Sequence, residues 1–216
     1  MRVGEIIRRL SAMPPSRRRQ WLAFKRDRLV TATLHARRLR SVGAGAIVQK
    51  PLFWTPEFIE LGERVLIWPG CRIEAVDRYG DRVFTPSIRF GDDVSLQQFC
   101  HVVIASDLEI GADTTVSSNV FITDSDHGYE TPDRNVLQQP LIVRRTTIGR
   151  SCFLGVGVRI LAGSHLGDHC VVAANSVVRG AFPDHCVIAG APARIIRRFD
   201  ADAGEWRRTD AGGHFA

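Results

Sequence analysis

Aliphatic residues recur at every sixth position along much of the chain. The longest run is Ile148, Leu154, Ile160, Leu166, Val172 and Val178. Shorter runs share the spacing, with a two-residue slip between the last two: Leu61, Ile67 and Ile73; Phe90, Leu96 and Val102; Ile104, Ile110, Val116 and Ile122. A period of six fits neither an α-helix, which repeats every 3.6 residues, nor one long strand, which repeats every two. The pattern predicts short strands joined by tight corners, with three hexads forming one triangular coil whose aliphatic residues point inward.

Small residues occupy fixed places in the same repeat. A glycine directly follows the aliphatic residue in many hexads, where we expect the corner backbone to need a positive φ: Gly62, Gly91, Gly111, Gly149, Gly155 and Gly167. Four cysteines come four residues after an aliphatic residue, at a position predicted to point inward: Cys71, Cys100, Cys152 and Cys170. We interpret these four as reduced packing residues, with Cys186 outside the slot, and expect no nucleophilic cysteine.

The repeat divides the chain into three parts. Residues 1–42 form a basic helical N-terminal arm, residues 43–198 form the coils, and residues 199–216 form a polar tail expected to be mobile. Two segments leave the period, and we call them the first excursion (residues 74–89) and the second excursion (residues 123–147). Residues 182–198 are expected to close the stack.

The arm shows helical spacing on both sides of a proline pair. Pro14 and Pro15 separate a first helix from a second, which contains Trp21 and Phe24 and for which Ser16 is the expected cap. The first helix is predicted from Val3, Ile6, Ile7 and Leu10.

Composition and charge narrow the class of protein. The 216 residues are 44% hydrophobic and 24% charged, no apolar run is long enough to span a membrane, and the N-terminus lacks the apolar core of a signal peptide. We therefore expect a cytoplasmic protein. The absence of C-x-x-C and of paired Cys/His spacing argues against a zinc site, and no metal is expected.

The net charge of +6 conceals an asymmetry. Residues 1–40 hold twelve Lys/Arg and two acidic residues, whereas the rest of the chain is net negative. Two interpretations stay open: a solvated or subunit-packing helix, or electrostatic contact of residues 1–40 with an anionic sugar carrier or with the inner face of the membrane. Nucleic acid is a poor candidate, because the rest of the chain offers neither aromatic platforms nor a basic groove.

The second excursion carries the strongest candidate for chemistry. In repeat proteins the coils supply a scaffold, and function concentrates in the loops. His127 lies in the excursion among acidic residues and Tyr129, whereas the other six histidines lie at outward repeat positions, in a turn or near the ends. We predict that His127 is catalytic, with Asp124 or Asp126 orienting its ring, although a carboxylate there could equally face solvent.

Three stretches of the chain resemble the hexapeptide-repeat acetyltransferases. They are DSDHGYE at 124–130, IGRSCFLGVGVRILAGSHLGDHCVVAANSVV at 148–178 and AGAPARIIRR at 189–198. The similarity is to the branch that O-acetylates sugars in surface-polysaccharide synthesis, and also to the maltose and galactoside acetyltransferases. It implies an all-β fold, a left-handed parallel β-helix, and a homotrimer that binds acetyl-CoA between neighbouring subunits.

The resemblance also assigns roles to single residues. His127 matches the catalytic base, and Gln97 falls where relatives place an acceptor-site residue, with Tyr129 as a second candidate for acceptor binding. The cofactor residues that it implies are Gly155, Ala173 and Ala174 for the pantetheine arm, and Arg179, Arg194 and Arg197 for the CoA phosphates. Two positions depart from the family: Phe153 replaces a common tryptophan, and Val156 replaces a serine, which leaves a backbone N–H as the expected oxyanion donor.

The expected reaction is direct transfer of acetyl to a sugar hydroxyl. Histidine has an unperturbed pKa of about 6.5, so a neutral ring can take the hydroxyl proton as the oxygen attacks the thioester. Three alternatives stay open: N-acetylation of a nucleotide-linked amino sugar, acetylation of an antibiotic hydroxyl, and a metal-dependent carbonic-anhydrase-like or purely structural β-helix. The sequence names neither the sugar nor the position acetylated.

Overall fold

The computed structural model describes residue 8, residues 11–210 and residues 212–215. Most of these residues wind as a parallel β-helix whose coils stack three sheets, here called A, B and C. Each repeat aliphatic pairs with its counterpart in the next coil, as Ile110 pairs with Ile148 and Ile148 with Leu166. The period read from the sequence therefore corresponds to one side of a triangular prism.

The strands of the three sheets follow one another in the order A, B, C around each coil. Sheet A contains β1 (Ser41–Val42), β4 (Ile59–Leu61), β9 (Ser87–Phe90), β12 (Asp107–Ile110), β17 (Thr146–Ile148), β20 (His165–Leu166) and β23 (Ala181–Phe182). Sheet B contains β2 (Ile47–Val48), β5 (Leu66–Ile67), β10 (Ser95–Leu96), β13 (Thr115–Val116), β18 (Phe153–Leu154), β21 (Val171–Val172), β24 (Cys186–Gly190), β25 (Ala193–Asp200) and β26 (Glu205–Arg208). Sheet C contains β3 (Phe53–Trp54), β6 (Arg72–Ala75), β11 (His101–Ile104), β14 (Phe121–Thr123), β19 (Arg159–Ile160) and β22 (Val177–Val178).

The inward side chains form one continuous core along the axis of the prism. Ile67, Leu96, Ile110 and Ile122 are fully buried. Burial of such a side chain stabilises the fold by roughly 1.5–3 kcal/mol, and stacked coils share the benefit because each covers its neighbours. The predicted slip is also present, because the side of the coil between Val102 and Ile110 holds two extra residues at the bend Ala105–Ser106.

The repeat glycines are required for a different reason from the one predicted. Gly111 and Gly149 do not have positive φ; a Cβ at Gly111 would lie 2.6 Å from the amide nitrogen of Arg150, and one at Gly149 would lie 2.6 Å from the carbonyl carbon of Gly167. The residue two positions later takes the left-handed conformation instead, as Asp113 does with φ 61°. Close approach of adjacent coils therefore explains the glycines.

Cys186 occupies the same inward slot as the other four cysteines, contrary to the prediction. It is fully buried two residues before Ile188, which pairs with Val172. The coil is shorter here because Phe182, and not a residue six positions after Val178, pairs with Leu166. This shortening hid the slot in the sequence.

The described part of the arm is a single helix, α1 (Pro15–Thr33), which packs against the first coil. Pro15 is its first residue and no side chain caps it, so Ser16 is not the cap. Buried Asp27 accepts a hydrogen bond from Gln49 at 2.8 Å, and the Thr31 hydroxyl accepts one from the Val48 amide at 2.9 Å. The residues that predict an earlier helix, Val3, Ile6, Ile7 and Leu10, lie outside the described residues.

Residues 199–210, expected as part of a mobile tail, instead complete a hairpin. β25 pairs antiparallel with β24 and with β26, extending sheet B beyond the last coil. The Phe199 and Trp206 rings meet across the hairpin at 5.7 Å. These two aromatic residues give the segment an apolar face, which its polar composition obscured.

Candidate active site

The prism has two edges beside sheet C, and the predicted site residues divide between them. At edge BC the chain passes from sheet B to sheet C, and at edge CA it passes from sheet C to sheet A. The second excursion leaves sheet C after Thr123 and rejoins sheet A at Thr146, so it projects from edge CA. The first excursion leaves from the same edge after Ala75 and rejoins at Ser87.

His127 lies on a small antiparallel ladder within the second excursion. β15 (Ser125–His127) pairs with β16 (Leu141–Val143), and His127 is opposite Leu141. The side chain of His127 is exposed, and its Nδ1 lies 3.2 Å from the hydroxyl oxygen of Tyr79. The ladder fixes the backbone of the histidine while one edge of its ring faces solvent.

Tyr79 is a site residue that the sequence analysis missed. It lies in the first excursion on the hairpin β7 (Arg78–Tyr79) and β8 (Arg82–Val83), and its hydroxyl also donates a hydrogen bond to the Leu137 carbonyl at 2.8 Å. The available signal was weak. The chain has two tyrosines, one in each excursion, and only Tyr129 is close to His127 in sequence.

Neither predicted carboxylate contacts His127. Asp124 is fully buried and accepts hydrogen bonds from the Ala105 and Ser106 amides at 2.8 and 2.6 Å and from the Ser106 hydroxyl at 2.6 Å. Asp126 instead binds Arg144 at 3.1 Å and Arg179 at 3.3 Å. Alternate residues of a strand point to opposite faces, so Asp126 and His127 diverge. The prediction that a neighbouring acid orients the ring is therefore wrong for this chain.

The predicted phosphate-binding arginines separate into two positions. Arg179 and Arg194 line one cleft of about 240 Å³ near edge CA, together with Phe182 and Ile195. Arg197 lies on the outward face of sheet B, where β25 pairs with β24, and its cross-strand neighbour there is Arg208. The structure thus places Arg194 beside Arg179 and gives Arg197 a separate surface.

The predicted pantetheine strip lies at edge BC. Gly155 and Ala173 stack in successive coils, but their amides donate to Val172 and Ile188 carbonyls, each at 2.8 Å. The next residues along the corner, Val156 and Ala174, are exposed, and their amides donate to no acceptor within the described residues. Of the three predicted positions only Ala174 offers a free amide, and Val156 offers a second.

The two acceptor candidates are also separated. Gln97 follows β10 at edge BC, in the column that contains Gly155, and is half-buried. Tyr129 lies in the second excursion with 74% of its surface exposed. Within one chain, the candidates at edge BC and those at edge CA are therefore on opposite sides of sheet C.

The cysteines are poor nucleophiles. All five are free and buried. Hydrogen bonds from Cys71 and Cys152, together with burial, hold the pKa of the Cys100 and Cys170 thiols far above the ordinary range, and burial raises the pKa of Cys186. This chemistry agrees with the packing role predicted for them.

Comparison with known proteins identifies the repeat. The family model "Bacterial transferase hexapeptide (six repeats)" matches residues 145–180. WbbJ of Escherichia coli (strain K12), whose name assigns it to O-acetyl transfer in lipopolysaccharide biosynthesis, is 34% identical over 161 residues, covering 69% of this chain and 76% of WbbJ.

Two solved structures share the architecture. AntD, an N-acyltransferase from Bacillus cereus in complex with dTDP and coenzyme A, superposes with a TM-score of 0.64 at 16% identity, over 80% of this chain and 90% of AntD. A galactoside acetyltransferase in complex with coenzyme A gives a TM-score of 0.51 at 19% identity, over 100% of this chain and 98% of that one. The fold is the left-handed parallel β-helix predicted from the sequence.

Proposed function

The chain belongs to the hexapeptide-repeat acetyltransferases, and on this premise we propose that it transfers acetyl from acetyl-CoA to a sugar hydroxyl in surface polysaccharide or glycoconjugate synthesis. The observation that carries the proposal is the setting of His127. Its ring is exposed on a rigid ladder, Nδ1 is hydrogen-bonded, and Nε2 contacts no described residue. A ring nitrogen left open to solvent is the group that a general base requires.

In the proposed reaction His127 takes the proton of the acceptor hydroxyl. The oxygen attacks the thioester carbonyl, the C–O bond forms, and the C–S bond then breaks to release the CoA thiol, which receives a proton. Negative charge on the carbonyl oxygen requires a fixed donor, and the free amides of Val156 and Ala174 at edge BC are the candidates. Arg179 and Arg194 would hold the CoA phosphates through charge-assisted hydrogen bonds.

The division of the site between two edges supports a homotrimer. His127 and the free corner amides meet only if edge CA of one subunit packs against edge BC of the next. Such a heterologous contact closes into a ring when its rotation permits, and a triangular prism suits a threefold ring. Acetyl-CoA would then lie between subunits.

The outward faces of sheets A and B indicate which surface packs. The outward row of sheet A is charged, with Arg89 placed 3.2 Å from Glu60 and 4.0 Å from Glu109. The corresponding row of sheet B is mostly apolar and includes Phe153, 46% exposed: Ile47, Leu66, Phe153, Val171 and Val187. An exposed apolar row of this kind is typical of a subunit interface.

Light scattering with matched variants tests the assembly. Phe153→Glu should lower the mass from trimer towards monomer, because a buried unpaired charge is costly. Thr147→Glu introduces the same charge on the outward row of sheet A in the same coil and should leave the trimer intact. A monomeric wild-type protein with full activity would contradict the proposed assembly.

An acceptor screen tests the reaction. The protein is incubated with labelled acetyl-CoA and a panel of free, nucleotide-linked and lipid-linked sugars, and products are identified by mass spectrometry. The proposal expects a product whose label is released by hydroxylamine, as for an ester. A hydroxylamine-resistant product on an amino sugar would favour N-acetylation, and no transfer to any acceptor would contradict the proposed function.

We also propose that α1 contacts an anionic membrane surface. Its side towards the coils buries Asp27 and Thr31, whereas Leu22 and Leu29, seven residues apart on the other side, are 50% and 65% exposed. Exposed Arg19, Lys25 and Arg26 flank them, a cationic and apolar surface that suits anionic lipid headgroups. No helix in the described part of the chain is long and apolar enough to cross a membrane.

Vesicle binding of the full chain tests this surface. Removing the arm would leave Gln49 and the Val48 amide without their partners, so point variants are preferable. The double variant Leu22→Ser/Leu29→Ser should lose co-sedimentation with phosphatidylglycerol vesicles, whereas Val83→Ser, at a 64% exposed position in the first excursion, should bind like wild type. Equal sedimentation of all three proteins would return the arm to a structural role.

A further inference from the structure

We propose that Tyr79 is a positioning residue that holds His127 in the tautomer with its proton on Nδ1. The inference rests on the proposed function, because it explains how His127 presents a basic Nε2 to the acceptor. It concerns the first excursion, for which the sequence analysis gave no role. The argument depends on counting the protons in one short chain of hydrogen bonds.

The Tyr79 hydroxyl has a single proton and two neighbours. The Leu137 carbonyl oxygen lies 2.8 Å from it and can only accept, so the phenolic proton is directed there. The Nδ1 atom of His127 lies 3.2 Å from the same hydroxyl oxygen. With its own proton committed, the hydroxyl offers Nδ1 a lone pair, and the bond forms only if Nδ1 carries a hydrogen.

The tautomer decides which nitrogen is the base. A neutral imidazole has one N–H and one bare nitrogen, so a proton on Nδ1 leaves Nε2 as the acceptor. Nε2 is also the nitrogen without a partner in the described part of the chain. A fixed ring with the opposite tautomer would present a donor to the sugar hydroxyl and could not remove its proton.

The first excursion is mounted so that Tyr79 keeps its place. Arg82, on the opposite strand of the same hairpin, donates a hydrogen bond to the Leu141 carbonyl at 3.3 Å, and Leu141 is the ladder partner of His127. The hairpin thus contacts the second excursion at Leu137 and at Leu141. The rings of Tyr79 and His127 also pack at 5.5 Å between centroids.

The test compares Tyr79→Phe with Arg82→Met. Phenylalanine keeps the packed ring but removes the oxygen, so the tautomer is no longer fixed. We expect kcat to fall about tenfold, the effect of losing one hydrogen bond of ordinary strength, with KM for acetyl-CoA unchanged. Arg82→Met loosens the same hairpin without touching the ring, and should change kcat less than Tyr79→Phe.

Nuclear magnetic resonance supplies a readout that does not depend on turnover. Long-range ¹H–¹⁵N spectra of the neutral ring should show the Nδ1–H tautomer in the wild type and in Arg82→Met, and a tautomer mixture in Tyr79→Phe. A wild-type ring protonated on Nε2 would overturn the inference. So would equal losses of kcat in both variants with the tautomer unchanged, since Tyr79 would then only dock the loop.

Failure of this inference is distinguishable from failure of the proposed function. If His127→Ala abolishes transfer while Tyr79→Phe changes neither tautomer nor rate, His127 remains the base and Tyr79 has no positioning role. If His127→Ala keeps full activity, the proposed reaction itself is wrong, whatever the spectra show.

Discussion

The two edges beside sheet C are built in opposite ways. At edge BC the column of Gln97, Gly155 and Ala173 repeats with the coils, and little but small or polar corner residues projects from it. At edge CA two coils are interrupted, and the inserted segments bring Tyr79, His127 and Asp126 together with Arg179. The regular edge offers backbone groups, whereas the interrupted edge offers titratable side chains.

The contrast shows how a repeat protein separates stability from chemistry. Coil positions are constrained on both sides by neighbouring coils, so a change there affects packing. Residues of the excursions contribute little to the continuous core, so they can be specialised for reaction. Changes at the two kinds of position should therefore have separable effects on folding and on turnover.

The largest expected effect is on turnover at edge CA. His127→Ala should lower kcat by roughly 100-fold or more, the usual result of losing a general base, while leaving the melting temperature close to wild type. Steady-state kinetics and thermal unfolding measured together check this. A variant that retains most of its activity on a hydroxyl acceptor would show that His127 is not the base.

The next effect should appear in stability. Ile122→Ala removes a fully buried side chain from β14, the strand that leads into the second excursion, and should cost about 2–5 kcal/mol in the free energy of unfolding. Phe121→Ala alters the neighbouring outward residue of the same strand and should cost much less. Denaturant unfolding distinguishes the two, and equal losses would contradict the inward assignment.

A smaller effect is expected on acetyl-CoA affinity. Arg194→Ala should raise the Kd by about three- to tenfold, and more at low salt, because an exposed charge is screened by ions. Arg197→Ala should have a smaller effect, since Arg197 lies outside the cleft that Arg179 and Arg194 share. Calorimetry in which Arg197→Ala weakens binding more than Arg194→Ala would move the phosphate site to the face of sheet B.

The smallest effect concerns the end of sheet C farthest from the last coils, where the arm meets the prism. His35 packs edge-on against Trp54 at 4.9 Å, and burial, with help from Arg38, lowers the pKa of its imidazole. The unfolded state therefore takes up the proton more readily, so this residue should reduce stability as pH falls below about 6.5. The melting temperature of His35→Gln should depend less on pH than that of the wild type; an unchanged dependence would exclude His35 as a contributor.

The sequence predicted the coils well because each inward position is repeated. Leu96, Val116 and Leu154 were found by spacing alone, and the structure confirms that they stack in one column. The partners of His127 were missed because the excursions do not repeat. Tyr79 reaches the ring through folding of two separate excursions, and Asp126 was assigned to the ring only because it is adjacent in sequence.

The corrections share one physical cause, which is that local pattern does not report contacts between coils. Gly111 is needed because the next coil passes close to it, and Cys186 joins the inward slot because the last coil is shorter. Both facts depend on register between distant segments. A spacing rule applied along the chain cannot measure that register.

The stacking of coils also gives the protein a length standard. Adjacent parallel strands lie about 4.8 Å apart, so each coil between the second excursion and the C-terminal hairpin adds one step to the distance between His127 and Arg194. Duplication or loss of a coil in residues 148–178 would change that distance by a whole step while preserving the core. The number of coils above the second excursion would therefore select cosubstrates by the length between their reactive carbonyl and their phosphates.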